Sequence, residues 1–381
     1  MLRRWLDSFL RWWAGLTRQQ QVIAGLGAAI GVVVLGIGAA LAAGSGGGHK
    51  AAVTTTTVAT TTTTTAPKAT TTTAPPTGPV APLTGLHVSD PTVLFRPAMA
   101  VKIDNLDAPH ETAVPQKGLN QADIVFEEVV EGNITRLVGV FQSQAPDPVG
   151  PVRSLRTTDV HLLPQLSHPL VVFSGGNQGV LAASLTADFV VRSEDAVPSA
   201  FFRDHSRRAP HNLYVHPAQV WSSLPPGQRL PAPLFTYLAA GEPRPAGASA
   251  ASGVDLTWGG GAASSPVSWR WDPATKQYLR TQNGRPHMDA DSNTQLSATN
   301  VVVLATTYGQ SPADLRSPEA NSVGSGEAWV LSGGVVVHGT WNRPTEQSPP
   351  VLTDSSGQPI KLTPGRTWIE LPKAGGATIV N

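Results

Sequence analysis

Residues 118–156 are rich in charged side chains, in a chain where charged residues make up only 14% of the total. The candidates for chemistry in this stretch are Asp123, Glu127, Glu128, Glu131, Asp147, Arg136, Arg153 and Arg156. Two carboxyl groups can act as general acid and base, and an arginine can hold a carboxylate or phosphate through two hydrogen bonds. The stretch therefore predicts either acid–base catalysis or the binding of an anion.

A hydrolase or transferase would use Glu127, Glu128 or Glu131 as its general acid or base. His211 would assist, because imidazole titrates near neutral pH. Cleavage of a glycosidic bond needs two carboxyl groups about 5–9.5 Å apart across a cleft. Because neighbouring residues of a strand point to opposite faces, Glu127 and Glu128 are not expected to line the same cleft. An ordinary hydrogen-bonded histidine is the competing interpretation of His211.

Anion binding is predicted from two loops, GPVRSLR at 150–156 and RAPHNLY at 208–214. The first loop and the SGGN loop at 174–177 both end at predicted helix N-termini, where free N–H groups favour an anion. The expected ligand is a phosphate, uronate or peptide carboxylate. The candidate ligand-binding residues are Arg153, Ser154, Arg156, Arg208, His211 and Asn212. The alternative is that Arg136, Arg153 and Arg156 pair with the glutamates of 127–131 and only stabilise the sheet.

Several other functions are excluded by composition and motif. The chain has no cysteine, which removes disulfides, thiolate catalysis and cysteine zinc sites, and its net charge of +1 predicts no nucleic-acid binding. The SGGN loop at 174–177 lacks the lysine of a phosphate-binding loop, and no serine lies in a nucleophile-elbow motif. Asp289, Asp291 and Asn293 have the spacing of a calcium loop, but the glycine and glutamate of that loop are missing. We therefore expect no cofactor and no metal.

The N-terminal region predicts a membrane anchor. Residues 22–43 are uncharged and largely apolar, long enough for a transmembrane helix, although a cleaved signal peptide is an alternative. Residues 1–21 have the pattern of an amphipathic cytoplasmic segment, and their arginines place this end inside the cell. The Thr/Pro/Gly-rich residues 44–82 predict a disordered stalk that holds the folded domains outside the membrane.

The rest of the chain predicts an α+β protein with two parts. Residues 83–240 alternate strands at 98–103, 122–130, 134–141 and 170–173 with helices at 157–166, 178–185 and from 217, which is typical of an α/β domain. Residues 253–381 show short strands punctuated by turns, including 301–306 and 367–371, and predict a mostly-β domain. Residues 243–252 are the predicted linker.

Several ordered segments resemble the DUF3048 family of bacterial envelope proteins. They are ADIVFEEVVEGNITRLVGVF at 122–141, GPVRSLR, RAPHNLY, GTWNR at 339–343 and PGRTWIE at 364–370. The resemblance spans nearly all of residues 82–381 and implies an extracytoplasmic, membrane-tethered protein, but it implies no mechanism. Members of the family include lipoproteins held by a lipidated cysteine, whereas this chain has no cysteine and a predicted transmembrane helix instead. The leading hypothesis is an envelope protein that binds an anionic cell-wall polymer or a partner protein; the alternative is an envelope hydrolase or transferase.

Overall fold

The structure, a computed structural model, describes residues 78–224, 227–244, 247–260 and 264–381, which belong to one folded unit. The predicted cytoplasmic segment, the predicted transmembrane helix and residues 44–77 of the predicted stalk lie outside the described residues. Within the described ranges, none of the helices has the length and apolar character needed to cross a membrane.

Strands are the main regular secondary structure of the described chain. In the N-terminal part they are β1 (Met99–Asp104), β2 (Asp107–Ala108), β3 (Glu111–Thr112), β4 (Ile124–Val129), β5 (Thr135–Phe141), β6 (Leu170–Val172), β7 (Val190–Val191), β8 (Phe201–Arg203) and β9 (Leu213–Val215). They continue with β10 (Ser249–Ala250), β11 (Gly253–Leu256), β12 (Val267–Asp272), β13 (Gln277–Gln282), β14 (Arg285–Pro286), β15 (Ser297–Ala298), β16 (Asn300–Leu304), β17 (Tyr308–Gln310) and β18 (Pro318–Ala320). The last are β19 (Gly324–Ser332), β20 (Val335–Arg343), β21 (Val351–Asp354), β22 (Thr367–Leu371) and β23 (Ala377–Val380).

The helices are few and short. The α-helices of the described residues are α1 (Thr157–Leu162), α2 (Gln178–Ser184) and α3 (Pro217–Ser222). Single turns of 3-10 helix lie at Pro91–Phe95, Leu119–Gln121, Glu131–Asn133, Leu163–Leu166 and Pro198–Ala200. The protein is therefore mostly β with few helices, and helices contribute less to residues 83–240 than the predicted α/β domain implies.

A large mixed sheet of eleven strands forms the centre of the molecule. Its strands lie in the order β10-β20-β19-β16-β22-β4-β5-β1-β6-β7, with β21 paired to β20. The β22 strand pairs in parallel with β16 on one side and with β4 on the other. Strands from both predicted parts of the chain thus share one sheet, while the boundary predicted at residues 240–253 stays a prediction.

Two apolar cores cover the two faces of the large sheet. One face packs against α1 and α2 through residues such as Phe126, Val160 and Val180. The other face, called here the inner face, packs against a six-stranded sheet of order β14-β13-β12-β11-β23, with β15 paired to β13. Trp269 from this smaller sheet and Trp368 from β22 meet edge to face in the inner core, with ring centroids 5.1 Å apart. Because β4, β5 and β1 are covered on both faces, every one of their residues is buried.

The local predictions from apolar runs hold well. The predicted strands at 98–103, 122–130 and 134–141 correspond to β1, β4 and β5, and the helix predicted at 157–166 is α1 followed by a 3-10 turn. The turn between β4 and β5 forms because Gly132 and Asn133 both adopt left-handed backbone conformations, with φ of 69° and 57°. It places the charged residues of both strands side by side.

Candidate functional site

Seven strands of the large sheet end at the same edge. The β1, β4, β6, β7, β16, β20 and β22 strands all run in one direction, as their parallel pairs and their shared antiparallel neighbours β5 and β19 require. In sheets with parallel strands, ligands bind outside the carboxyl ends of the strands. We call this side of the molecule the carboxyl edge, and most of the predicted site residues lie on it or just behind it.

Glu127 points to the inner face and is fully buried. Its Oε2 atom lies 2.6 Å from Nη2 of Arg280, and its Oε1 atom accepts hydrogen bonds from Thr135 at 2.6 Å and from Asn105 at 3.1 Å. On the neighbouring strand, Glu370 lies in register with Glu127. Glu127 is therefore enclosed between two sheets with its charge already paired.

Burial and neighbouring charges shift the pKa values of two groups beside the Glu127–Arg280 pair, Glu370 and His287. Burial, followed by the neighbouring charge of Glu127, raises the pKa of Glu370 well above its ordinary value, so that Glu370 carries a proton. Its Oε1 atom accepts a hydrogen bond of 2.7 Å from Nε1 of Trp269. Burial and the charge of Arg280 lower the pKa of His287 well below its ordinary value, so that this imidazole is neutral. The cluster thus places the Arg280 guanidinium against Glu127, while burial favours the neutral forms of Glu370 and His287.

Glu128 points to the opposite, helical face, as alternation along a strand predicts. It is fully buried and bonded to Nζ of Lys102, which also lies 2.8 Å from Oδ1 of Asp159. Burial and the adjacent Asp159 carboxylate raise the pKa of Glu128 to about 7, although the charge of Lys102 opposes the shift. Neither Glu127 nor Glu128 is exposed to a substrate in solution.

The two helix N-termini predicted to bind an anion are capped by the protein's own side chains. At the start of α1, Oδ2 of Asp159 accepts a hydrogen bond of 2.7 Å from the backbone N of Arg156. At the start of α2, the side chain of Asn177 accepts a hydrogen bond of 2.9 Å from the backbone N of Val180. Both helices have fewer than eight residues, so neither supplies a helix-dipole site.

Glu131 and Arg156 form a two-pronged ion pair on the carboxyl edge. The Nε and Nη2 atoms of Arg156 lie 2.6 and 2.8 Å from the two carboxylate oxygens, and the hydroxyl of Ser317 also donates to Glu131. Burial alone would raise the pKa of Glu131, but these bonds outweigh it and lower the pKa to about 2. A carboxylate this firmly ionised is a weak general base and cannot act as a general acid near neutral pH.

Arg136, Arg153 and Ser154 lie beside this pair. Arg153 forms an ion pair with Asp104 at 2.8 Å, and Arg136 donates to the carbonyl of Ser154 at 3.0 Å. Burial, together with the charges of Arg156 and Arg153, lowers the pKa of Arg136 to about 10. The predicted loop arginines are thus brought together, and Arg153 and Arg156 are both paired with carboxylates. Of the pairings in the alternative interpretation, only Arg156–Glu131 occurs among the described residues, because Arg153 pairs with Asp104 and Arg136 donates to a carbonyl.

His211 is buried between two carboxylates. Its Nδ1 atom lies 2.6 Å from Oδ2 of Asp104, and its Nε2 atom lies 2.8 Å from Oε1 of Glu111, which belongs to the β2–β3 hairpin. The hydrogen bond with Asp104 raises the pKa of His211; burial opposes this, and the bond with Glu111 adds to it. The raised pKa favours the protonated imidazole, which can donate to both carboxylates and is poorly suited to accept a further proton.

Because of these contacts, we expect protonation of His211 to make the stability of the protein depend on pH. Because the folded pKa of His211 is above its unfolded value of about 6.5, the contribution is complete below pH 6.5 and is lost as the pH rises through the folded pKa. We expect wild type to lose more stability than His211→Gln between pH 6 and pH 9 in urea unfolding. Asp104, Glu111 and Arg153 are present in both proteins, so parallel pH profiles would contradict this assignment.

The other predicted residues of the 208–214 segment have separate roles. Arg208 is exposed and forms no ion pair in the described part of the chain. Asn212 is buried and holds its own turn, accepting from Arg203 at 3.2 Å and donating to the carbonyls of Asp204 and Arg207 at 3.4 Å. Neither residue is part of the lining of the pocket of about 130 Å³ beside Arg156.

An open groove of about 710 Å³ lies further along the carboxyl edge. It is formed by the turn after β4, the segments after β16 and β22, and the β17–β18 hairpin. Its lining consists of Val130, Gly132, Asn133, Thr306, Thr307, Tyr308, Gly309, Gln310, Leu315, Arg316, Ser317, Pro318, Lys373 and Ala374. These residues include two cations, three aliphatic hydroxyls and two amides, and they include no carboxylate. We call this feature the strand-end groove.

Lys373 is the most firmly placed cation of the strand-end groove. Its Nζ atom donates to Oδ1 of Asn133 at 3.1 Å and lies 6.0 Å from the centre of the Tyr308 ring. No carboxylate among the described residues lies within ion-pair distance of it. Tyr308 is fixed in turn, because its hydroxyl donates to the carbonyl of Leu371 at 2.7 Å and accepts from the N of Val129 at 3.1 Å. Burial raises the pKa of Tyr308, so the hydroxyl stays protonated.

The sequence-based search missed this groove and its residues. Asn133, Tyr308 and Lys373 are far apart in the chain and are brought together by the parallel pairing of β4, β22 and β16. A usable signal was present, since Thr306 ends the predicted strand at 301–306 and Lys373 lies two residues after the predicted strand at 367–371. It required knowing that these strands run parallel to β4.

The helical layer, the large sheet, the small sheet and the polar carboxyl edge define a mostly-β protein with a ligand-sized groove. Two family descriptions match this chain: "Protein of unknown function (DUF3048) N-terminal domain" over residues 83–227, and its C-terminal domain over residues 254–369. The chain belongs to the DUF3048 family, which confirms the resemblance found in the sequence.

Two comparisons place the chain beside a protein of Bacillus subtilis (strain 168). It is 29% identical over 312 residues to a protein named "Putative lipoprotein YerB", covering 78% of this chain and 88% of YerB. The crystal structure of YerB from Bacillus subtilis superposes with a TM-score of 0.68 at 25% identity, covering 79% of this chain and 99% of the other. The fold described above is therefore the fold of YerB.

Proposed function

We propose that this protein is a membrane-tethered, extracytoplasmic envelope protein that binds an anionic ligand in the strand-end groove. The name of YerB, a lipoprotein by that description, supports the envelope location. The predicted span at 22–43 would supply the tether in place of a lipid. The ligand would be carried by a cell-wall polymer or by another envelope protein.

The observation that carries the proposal is the position of Lys373. It is a half-buried cation without a carboxylate partner in the described chain, in a groove whose lining contains no acidic side chain. A cation that is partly removed from water and left unpaired gains from any anion that reaches it. Arg316 adds a second, exposed cation on the rim, only loosely paired with Asp314 at 3.4 Å.

The same geometry argues against the hydrolase alternative. Glu127 and Glu128 are fully buried in opposite faces of the sheet, and Glu131 is held by Arg156 and Ser317. His211 is bracketed by two carboxylates. An acid–base mechanism needs a group that can exchange a proton with a bound substrate, and these four candidates are occupied by internal partners.

The test is co-sedimentation of the full-length chain, in mild detergent, with purified Gram-positive cell walls. We expect wild type to bind and Lys373→Ala/Arg316→Ala to bind at least about tenfold more weakly, because a hydrogen bond to a charged group contributes about 1.5–3 kcal/mol. Raising the salt concentration should weaken the binding of wild type to the cell walls, since the attraction between partly exposed charges is screened.

The matched control is Arg208→Ala/Lys276→Ala, which removes the same charge from exposed residues outside the strand-end groove. We expect this control to bind like wild type. If the control loses binding while the groove variant keeps it, the ligand lies on the 208–214 segment predicted from the sequence. Release of wall fragments by wild type would favour the hydrolase instead.

A further inference from the structure

The strand-end groove combines charge with a set of neutral hydrogen-bonding groups that a simple anion would not need. Thr307 and Gln310 are both exposed, and no hydrogen bond of the Gln310 side chain occurs within the described ranges. The Thr307 hydroxyl accepts from Nδ2 of Asn321 at 2.7 Å and therefore keeps its own proton to donate. The hydroxyl of Ser317 donates to Glu131 and keeps lone pairs to accept.

Apolar groups also line the strand-end groove. Val130, Leu315, Pro318, Ala374 and the ring of Tyr308 contribute to the same lining. A sugar or polyol presents both C–H and O–H groups, so it matches a lining that contains both apolar groups and hydroxyl or amide groups. An inorganic phosphate would leave this part of the groove unused.

The size of the groove also favours a ligand larger than a single anion. A volume of about 710 Å³ falls within the range of about 300–1,000 Å³ that holds drug-sized ligands, which is several times a single anion. The groove is open at the surface, between the β17–β18 hairpin and the turn after β4, so a segment of a longer chain can lie in it. Lys373, fixed by Asn133, would hold one acidic group of that chain.

We propose that the ligand is a polyhydroxylated chain with an acidic group on its repeating unit, held by Lys373 at the acid and by Thr307 and Gln310 at the hydroxyls. This inference rests on the proposed function and specifies its ligand class. The acidic group is a phosphodiester or a carboxylate, because a lysine ammonium binds both. The source is then a polyol phosphate polymer or an acidic polysaccharide.

The experiment measures the Kd of the full-length protein in mild detergent for four defined probes by calorimetry. They are a glycerol phosphate oligomer, an oligogalacturonate, a neutral maltooligosaccharide and polyglutamate of similar charge. We expect one or both of the first two to bind, and the neutral and polypeptide probes to bind at least tenfold more weakly. The stronger of the first two identifies the acidic group.

Two variants test the two halves of the groove separately. Lys373→Ala should raise the Kd for the probe that binds by about 10–100-fold. Thr307→Val/Gln310→Ala should raise the same Kd by about tenfold. Thr340→Val, an exposed threonine on β20, is the matched control and should leave the Kd unchanged. Circular dichroism of each variant separates lost binding from lost folding.

The remaining outcomes overturn the inference in distinguishable ways. Equal binding of polyglutamate, with full sensitivity to Lys373→Ala, would overturn the polyhydroxylated ligand and leave the anion-binding function standing. If the neutral maltooligosaccharide binds as tightly as the acidic probes, the proposed acidic group of the ligand is overturned. Failure of all four probes would overturn the ligand class, and failure of cell walls as well would overturn the proposed function.

Discussion

Replacing Arg280 by methionine is expected to lower the free energy of unfolding by about 3–5 kcal/mol, the cost of removing one partner from a buried ion pair. Arg280 and Glu127 are both fully buried and 2.6 Å apart. Methionine preserves much of the side-chain volume but leaves the Glu127 carboxylate between two sheets without its cation, although Thr135 and Asn105 still donate to it. The substitution also removes the guanidinium from above the Trp368 ring, where it lies 5.0 Å from the ring centre.

Arg270→Met is the matched control for this prediction. Arg270 lies on the adjacent strand β12 and pairs with Asp255 at 2.6 Å, but both side chains are more than 40% exposed. Surface pairs contribute about 0–1 kcal/mol, so this variant should unfold close to wild type in urea or on heating. If both variants cost the same small amount, the buried pair is not important for stability. Arg280→Met/Glu127→Gln should recover part of the loss, because it removes the stranded charge.

Replacing Lys102 by methionine is expected to cost about 3–5 kcal/mol at pH 8 and less at pH 5. Lys102 is the cation between Glu128 and Asp159 on the helical face, and all three are buried. Since the pKa of Glu128 is raised from 4.5 to about 7, Glu128 is protonated at pH 5 and needs less compensation there. At pH 8 wild-type Glu128 is ionised, and removing Lys102 leaves two acidic side chains facing each other.

The sign of the pH effect follows from the same shift. A carboxyl whose folded pKa is raised gives stability at low pH, and that stability is lost as the pH rises from 4.5 to about 7. Without Lys102 the pKa of Glu128 in the folded protein rises further, so the variant continues to lose stability up to a higher pH. Urea unfolding of Lys102→Met between pH 5 and pH 8 checks this. Lys361→Met, from a partly exposed pair with Glu242 at 2.5 Å, should show a small and pH-independent change; a pH-independent cost for Lys102→Met would contradict the prediction.

The strands and helices could be predicted from the sequence because local apolar runs and turn residues determine them. The alternation rule also predicted correctly that Glu127 and Glu128 point to opposite faces. Their partners could not be predicted in this way. Arg280 lies 153 residues from Glu127 in the chain, and only the packing of the small sheet on the large one brings them together.

The partners of the candidate site residues could not be predicted from the sequence either, for a related physical reason. A loop with two arginines has the same sequence whether its guanidinium groups face a ligand or internal carboxylates, and here Asp104 and Glu131 occupy them. Lys373 has no motif around it. What distinguishes it is the absence of a carboxylate partner in the described structure, which is a property of tertiary packing alone.

The position of β22 between β16 and β4 has a consequence for how the chain is made. Thr367 of β22 pairs with Ile124 of β4, about 240 residues earlier in the sequence. A nascent chain that has emerged only through β9 has β4 paired with β5 on one side and an open hydrogen-bonding edge on the other. That edge stays open until residue 371 has emerged, because no earlier strand takes the place of β22 in the sheet. Exposed edges recruit other strands, and closing so long a loop is slow. The half-made protein therefore needs protection from aggregation during its synthesis.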